Sequence, residues 1–214
     1  MKKLLRVLAA QMFATAFVLA AVAGPARADT PPTDAELAAE WQEAWDTHKF
    51  YKNVPPAPGS GVSRASQSIS IEINAPAQQV FKKYSDFNNH IGRAAFLKRV
   101  ATHKEWTKAG VRYRNLTAIE DVPFEGQIVS LHTHAQQRLH LSKLFYETDT
   151  WSLPGVVTHQ KIVFKKLGPQ KTKVTEHLTF DAPDELIDFT VANGVASHQQ
   201  TQAALKQAIE SGQL

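Results

Sequence analysis

The residues best equipped for chemistry lie in the stretch Lys173-Val-Thr-Glu-His-Leu-Thr-Phe180. Its alternation reads as a strand, and a period of two puts Val174, Glu176, Leu178 and Phe180 on one face and Lys173, Thr175, His177 and Thr179 on the other. Glu176 therefore stands among apolar neighbours, where an unpaired carboxylate is costly. It needs a partner, a raised pKa or a ligand. An ion pair with Arg112 or Arg114 is the plainest solution; contact with a ligand and a general acid–base role are the alternatives. On the preceding strand Thr158 and Gln160 share a face with Ile162 and Phe164, polar spots in an apolar wall that suit a small-molecule pocket or simple internal hydrogen bonding. Tyr113, Phe124, Tyr146 and Trp151 also fall on predicted strands, as cavity lining or plain core. Leu186, Phe189 and Asn193 recur at helical spacing near the C-terminus, with Asn193 the one polar group on that face.

His132-Thr133-His134 places two imidazoles on one strand face. With His159, His177 or Glu176 they would make a nitrogen–oxygen metal set, but a dyad assigns no third ligand, and ordinary strand histidines are the plainer reading. No glycine pattern of a nucleophile elbow surrounds any serine, and there is neither a P-loop nor a dinucleotide fingerprint. The chain has no cysteine, which removes disulfides, thiolate metal sites and a cysteine nucleophile. The candidate ligand-binding set is thus Tyr113, Phe124, Tyr146, Trp151, Thr158, Gln160, Glu176, Phe189 and Asn193. No catalytic residue is assigned, His132 and His134 are the only weak metal candidates, and no cofactor is called for.

The elements that must position these residues follow from the hydropathy pattern. Ser68–Asn74 alternates with three isoleucines on one face, a half-buried strand. Ala75-Pro76-Ala77 turns the chain into a helix over about 77–87, with a second short helix over 90–96. Strands are predicted at about 97–107, 111–120, 125–135, 143–152, 157–167 and 171–181, with 135–143 ambiguous. Pro183-Asp184-Glu185 opens a long last helix reaching about Glu210, in which Gly194 offers a kink. Strand, short helices, six antiparallel strands and a terminal helix make an α+β order, best satisfied by a curved sheet around the helix.

Two segments carry a family likeness. Ile69-Ser-Ile-Glu-Ile-Asn-Ala-Pro-Ala-Gln-Gln-Val-Phe-Lys-Lys-Tyr-Ser-Asp-Phe87 resembles the entry of START-like domains, the SRPBCC superfamily of polyketide cyclases and coenzyme-Q-binding proteins. Lys173–Phe180 followed by a long helix resembles their close. The likeness spans about residues 66–211. It implies a helix-grip fold, about seven antiparallel strands around a C-terminal helix, enclosing a cavity for a hydrophobic or amphipathic ligand. The superfamily has no universal catalytic set, so the likeness specifies fold far better than function.

Residues 1–65 lie outside that likeness. Lys2, Lys3 and Arg6 precede an apolar run, Val7–Ala23, and Ala26-Arg27-Ala28 offers the small-x-small pattern of a cleaved leader. A run of about 17 residues interrupted by Gln11 is marginal for spanning a bilayer. Cleavage near Ala28 would send the protein to a periplasm or outside the cell, with no stable membrane insertion. It would also take four of the 24 basic residues, leaving 20 against 20 acidic ones. A neutral mature chain argues against a nucleic-acid partner, which needs a basic stripe. Residues 29–65 then form an arm: a helix capped by Thr33 and Glu36, with Leu37, Trp41, Trp45 and His48 on one stripe, and a Pro/Gly linker over 54–61. The domain proper is read as 66–214. The expected function is an exported carrier of a lipid, isoprenoid or aromatic metabolite. A cyclase/dehydratase using Glu176 or a histidine is the alternative, and an interaction protein docking through Trp41 and Trp45 the third.

Overall fold

The computed structural model describes residues 31–124 and 127–214; the predicted leader lies outside them. The order is α1 (Asp34–His48), β1 (Val62–Ile73), α2 (Ala77–Tyr84), a 3-10 turn (Phe87–His90), β2 (Leu97–Lys108), β3 (Val111–Phe124), β4 (Gln127–His140), β5 (Phe145–Ser152), β6 (Val156–Gly168), β7 (Lys171–Pro183) and α3 (Ile187–Glu210). All seven strands join one antiparallel sheet in the order β1-β7-β6-β5-β4-β3-β2. Only the β1–β7 neighbourship is non-sequential. The chain returns to pair its last strand with its first, and α3 crosses the face so enclosed.

Period two sorts the sheet into two faces. On one, Ile73, Val80, Phe81, Tyr84, Tyr146, Ile162, Phe164, Val174, Leu205 and Ile209 form the main core between the sheet, α2 and the C-terminal half of α3. α1 packs against the other face: Leu37, fully buried, meets Ala101 and Ile119, whose β3 neighbours Ala118 and Glu120 point the opposite way. Trp41 donates from Nε1 to the Ala135 carbonyl at 2.8 Å and packs with Ala44, Phe50, Trp45, Trp151 and Val157. The capping box is present, with the Glu36 amide donating to Thr33 Oγ1 at 3.3 Å and the Thr33 amide to Glu36 Oε2 at 2.8 Å. Beyond α1, Arg64 bonds both oxygens of Asp181 at 2.6 Å and also reaches Asn53 and the Val54 carbonyl, fastening the linker to the sheet edge.

Several predicted boundaries move. β1 begins at Val62 because its partner β7 continues to Pro183, and that extension delays α3 to Ile187. The ambiguous 135–143 stretch is strand up to His140, held by β3 on one side and β5 on the other. The short helix expected over 90–96 is instead the 3-10 turn Phe87–His90 followed by turns. Gly194 does not break α3. A Cβ there would stand 2.7 Å from Phe180 Cε1, so the glycine lets the helix approach β7.

The burial of α1 makes it part of the same compact unit as the sheet, Thr33–Leu214. Leu37→Ala should therefore cost about 3 kcal/mol through lost transfer and a residual cavity. Urea unfolding followed by tryptophan fluorescence should show a lowered midpoint in a single transition.

Candidate functional site

Between the cavity-side face of the sheet and α3 lies a half-open cavity of about 140 Å³. Its apolar wall comprises Phe87, Leu97, Val100, Leu116, Ala118 and Ala135, and its polar part Glu120, Thr133, Thr148, Thr150, Gln160, Glu176, Ser197 and His198. The polar residues reach it for topological reasons. Successive even positions of β3, β5, β6 and β7 and odd positions of β4 all face inward, and α3 lays Ser197, His198 and Thr201 across them.

Glu176 is the centre of the polar part. Only 2% exposed, it accepts hydrogen bonds from Tyr84 on α2, from Gln202 Nε2 at 3.0 Å and from His198 Nδ1 at 2.6 Å, the last two on α3. Burial by itself would raise its pKa. The His198 hydrogen bond and charge, with Tyr84 and Gln202, outweigh burial and hold the carboxyl below its ordinary value. His198 mirrors this: burial would lower it, but the hydrogen bond and charge of Glu176, with the charge of Glu120, raise it. Its side chain keeps 27% of its surface accessible and lines the cavity. Tyr84 and Tyr146 are driven well up, first by burial and then by the Glu176 charge. His90, whose Nε2 bonds the Tyr84 carbonyl at 2.8 Å, is lowered by burial. Glu120 is raised by burial, against the Thr133 hydroxyl that donates to it at 2.7 Å. Thr148, 1% exposed and lining the cavity, has no hydrogen-bond partner for its hydroxyl among the described residues.

The predicted residues separate cleanly. Tyr146, Gln160 and Glu176 line the cavity. Thr158 is buried on the same face beside Phe180 but outside the lining. Tyr113 faces the other way and stacks on Trp106 at 5.0 Å. Trp151 is also on the α1 side, stacked on His48 at 4.0 Å, since an odd position on β5 points away from the cavity. Phe189 is 57% exposed, and Asn193 turns its amide back to the Phe189 carbonyl at 2.8 Å. Phe189 and Asn193 lie in the first turns of α3, whereas the α3 residues that line the cavity are Ser197, His198 and Thr201. The Phe124 side chain is outside the described residues. Arg112 and Arg114 are spent on Glu105, so the expected partners of Glu176 are replaced by His198, Tyr84 and Gln202. Those three, with Glu120 and Thr148, escaped sequence reasoning. Only the i, i+4 pair His198/Gln202 offered a helical-face signal.

His132 and His134 lie on the α1 side of β4. Glu176 faces the cavity and cannot join them. His132 pairs with Glu40 at 2.6 Å, and His134 shares the Thr117 hydroxyl with His103. Burial lowers His134 to about 4. Among the described residues no group of three His, Cys, Asp or Glu side chains is arranged to hold a metal ion. A second cleft of about 370 Å³ lies there between α1 and the sheet, lined by Glu40, Glu43, His48, His132, His134 and Trp151 among others. No helix of the described residues is long and apolar enough to cross a membrane.

No known family model matches the chain, and no curated protein matches it. Solved structures do. The di-domain aromatase/cyclase StfQ from the steffimycin biosynthetic pathway aligns at 14% identity and a TM-score of 0.56 over 69% of this chain and 46% of its own, so the chain spans about half of that protein. The Zhui aromatase/cyclase from Streptomyces sp. R1128 aligns at 13% identity and 0.54, covering 68% of this chain and 96% of the other. A START superfamily protein from Mycobacterium smegmatis aligns at 17% and 0.52, covering 68% and 97%. At these identities the likeness speaks to fold, and the fold is a START-like helix grip.

The Glu176–His198 pair has a pH signature. A lowered carboxylate contributes stability that is present above its unfolded value, about 4.3, and lost as pH falls through the folded one. A raised histidine contributes stability that is fully present below about 6.5 and lost as pH rises through its folded value. The pair is therefore strongest between those limits. Wild-type urea midpoints should decline on the alkaline side of about 6.5, and a His198→Gln variant should lack that limb.

Proposed function

We propose that the protein binds and carries an apolar or amphipathic small molecule between the sheet and α3. The observation that carries this reading is the half-open cavity with an apolar wall and a polar end at Glu176 and His198. Its volume, about 140 Å³, compares with an engineered apolar cavity of roughly 150 Å³ that takes benzene. A ring-sized portion of the ligand is thus enclosed, and the remainder extends through the open side. Affinity comes from apolar burial, about 25 cal/mol per Å² removed from water, and orientation from the polar end.

A second reading has its own observation. Glu176 fixes His198 through Nδ1 in a cavity wall, as a carboxylate orients an imidazole for proton transfer. Solved proteins of similar fold include aromatase/cyclases, and an acid–base reaction on the bound molecule suits the same residues.

Export belongs to this proposal. Lys2, Lys3 and Arg6, the apolar run and Ala26-Arg27-Ala28 support a cleaved leader and a carrier acting in a periplasm or outside the cell. N-terminal sequencing of the protein recovered from the producing cell should begin at Asp29; recovery of an intact Met1 terminus would remove export from the reading.

The binding proposal is tested by filling the cavity. Organic extraction of the purified protein, read by mass spectrometry, should yield a co-purified lipophile. Ala118→Phe should cut that loading by about tenfold, since the ring occupies the enclosed space, while the circular dichroism spectrum is retained. Wild-type protein that never yields a lipophile, or undiminished loading in the variant, would end the proposal.

A further inference from the structure

The charges around the cavity bear on which headgroup it admits. Two carboxylates line it, Glu176 and Glu120. The Glu176 charge is met by His198 at 2.6 Å, with Tyr84 and Gln202 completing its shell. Glu120, on β3, receives only the Thr133 hydroxyl at 2.7 Å, and among the described residues no cation lies within ion-pair distance of it. His198 acts on it through its field alone. His90, the other imidazole in the wall, is biased by burial toward its neutral form and adds no compensating charge. One cation thus serves two carboxylates, and with both ionised the cavity carries a net negative charge in a partly desolvated space, where like-charge repulsion is strong.

A second observation is independent of those charges. Thr148, 1% exposed, lines the cavity, and its hydroxyl has no hydrogen-bond partner among the described residues. Its cross-strand neighbour Gln160 lines the cavity too. A buried hydroxyl left unpaired is costly, and this one can both donate to and accept from a neutral oxygen group of a guest.

Resting on the binding reading above, we propose that this cavity selects apolar ligands with an uncharged oxygen headgroup, hydroxyl or carbonyl, seated at Thr148, and that Glu120 excludes carboxylates. Glu120 is then the specificity-determining residue of the site, and Thr148 the headgroup anchor.

Fluorescence titration of the delipidated full protein with 2-naphthol and 2-naphthoate at about pH 8, where free carboxyls are ionised, separates the possibilities. Wild type should bind the alcohol at least about tenfold more tightly than the acid. Glu120→Gln, isosteric and able to keep the Thr133 hydrogen bond, should tighten naphthoate by about tenfold and so narrow the preference for naphthol. Thr148→Val, also isosteric, should weaken naphthol by about fivefold. Equal wild-type affinities, or naphthoate unimproved by Glu120→Gln, overturn the charge filter while leaving the binding reading intact. Naphthol indifferent to Thr148→Val overturns the anchor. Failure of both probes to bind wild type overturns this inference and the binding reading together.

Discussion

The structure depends on how a buried charge is held. Glu176 sits at the inner face of β7, and its ionised form survives there only because three side chains from two other elements converge on it. Tyr84 comes from the last turn of α2; His198 and Gln202 come from one face of α3. A buried carboxylate stripped of any one of them would be left partly unsatisfied, a far larger penalty than the net worth of each bond. The same bonds that keep the charge therefore fix where α3 crosses the sheet and where α2 ends. They stand at the edge of the main core, so the position of the cavity is set by polar pairing and apolar packing together.

That arrangement gives the sheet two unlike faces. On the cavity side, apolar packing is complete toward the C-terminal half of α3, around Leu205 and Ile209, and thins toward Ser197, where the void lies. On the opposite side, a face that is polar for much of its extent is covered by α1 and the linker. On that face Asp149 bridges His159 and Arg138, and Asp181 holds Arg64. The arm has its own reasons to stay: a buried leucine, an indole hydrogen bond to a strand carbonyl and a cluster of stacked aromatics. It thickens the START-like grip on its outer side without entering the cavity.

Much of this was legible from residue order. Ser68–Asn74 and Lys173–Phe180 read as strands and are strands, the first up to Ile73, paired with each other in the sheet. Glu176 was read as facing inward among apolar neighbours, and it does, because a two-residue period leaves no other choice once Val174 and Leu178 are buried. The same period puts Gln160 on the inner face, where the structure has it; Tyr146, legible only as cavity lining or core, faces inward as well. Aromatic character alone does not choose a face: Trp151 and Tyr113, open to reading as cavity lining or core, have registers that point to the α1 side. Phe189 and Asn193 misled for a different reason: helical spacing says which residues share a face, not where along the helix that face first meets the sheet.

The sequence by itself determined the elements, their inward and outward faces and the need of Glu176 for a partner, since these follow from local periodicity and the cost of burying charge. Only the tertiary structure decided who that partner is. Tyr84, His198 and Gln202 lie 92, 22 and 26 residues from Glu176, and no local rule selects among the other polar side chains of the chain. The cavity is likewise a tertiary fact. It exists because α3, drawn close at Gly194 and Leu205 and held by His198, leaves the volume between those anchors unfilled, and a volume between elements has no signature in the order of residues along either one.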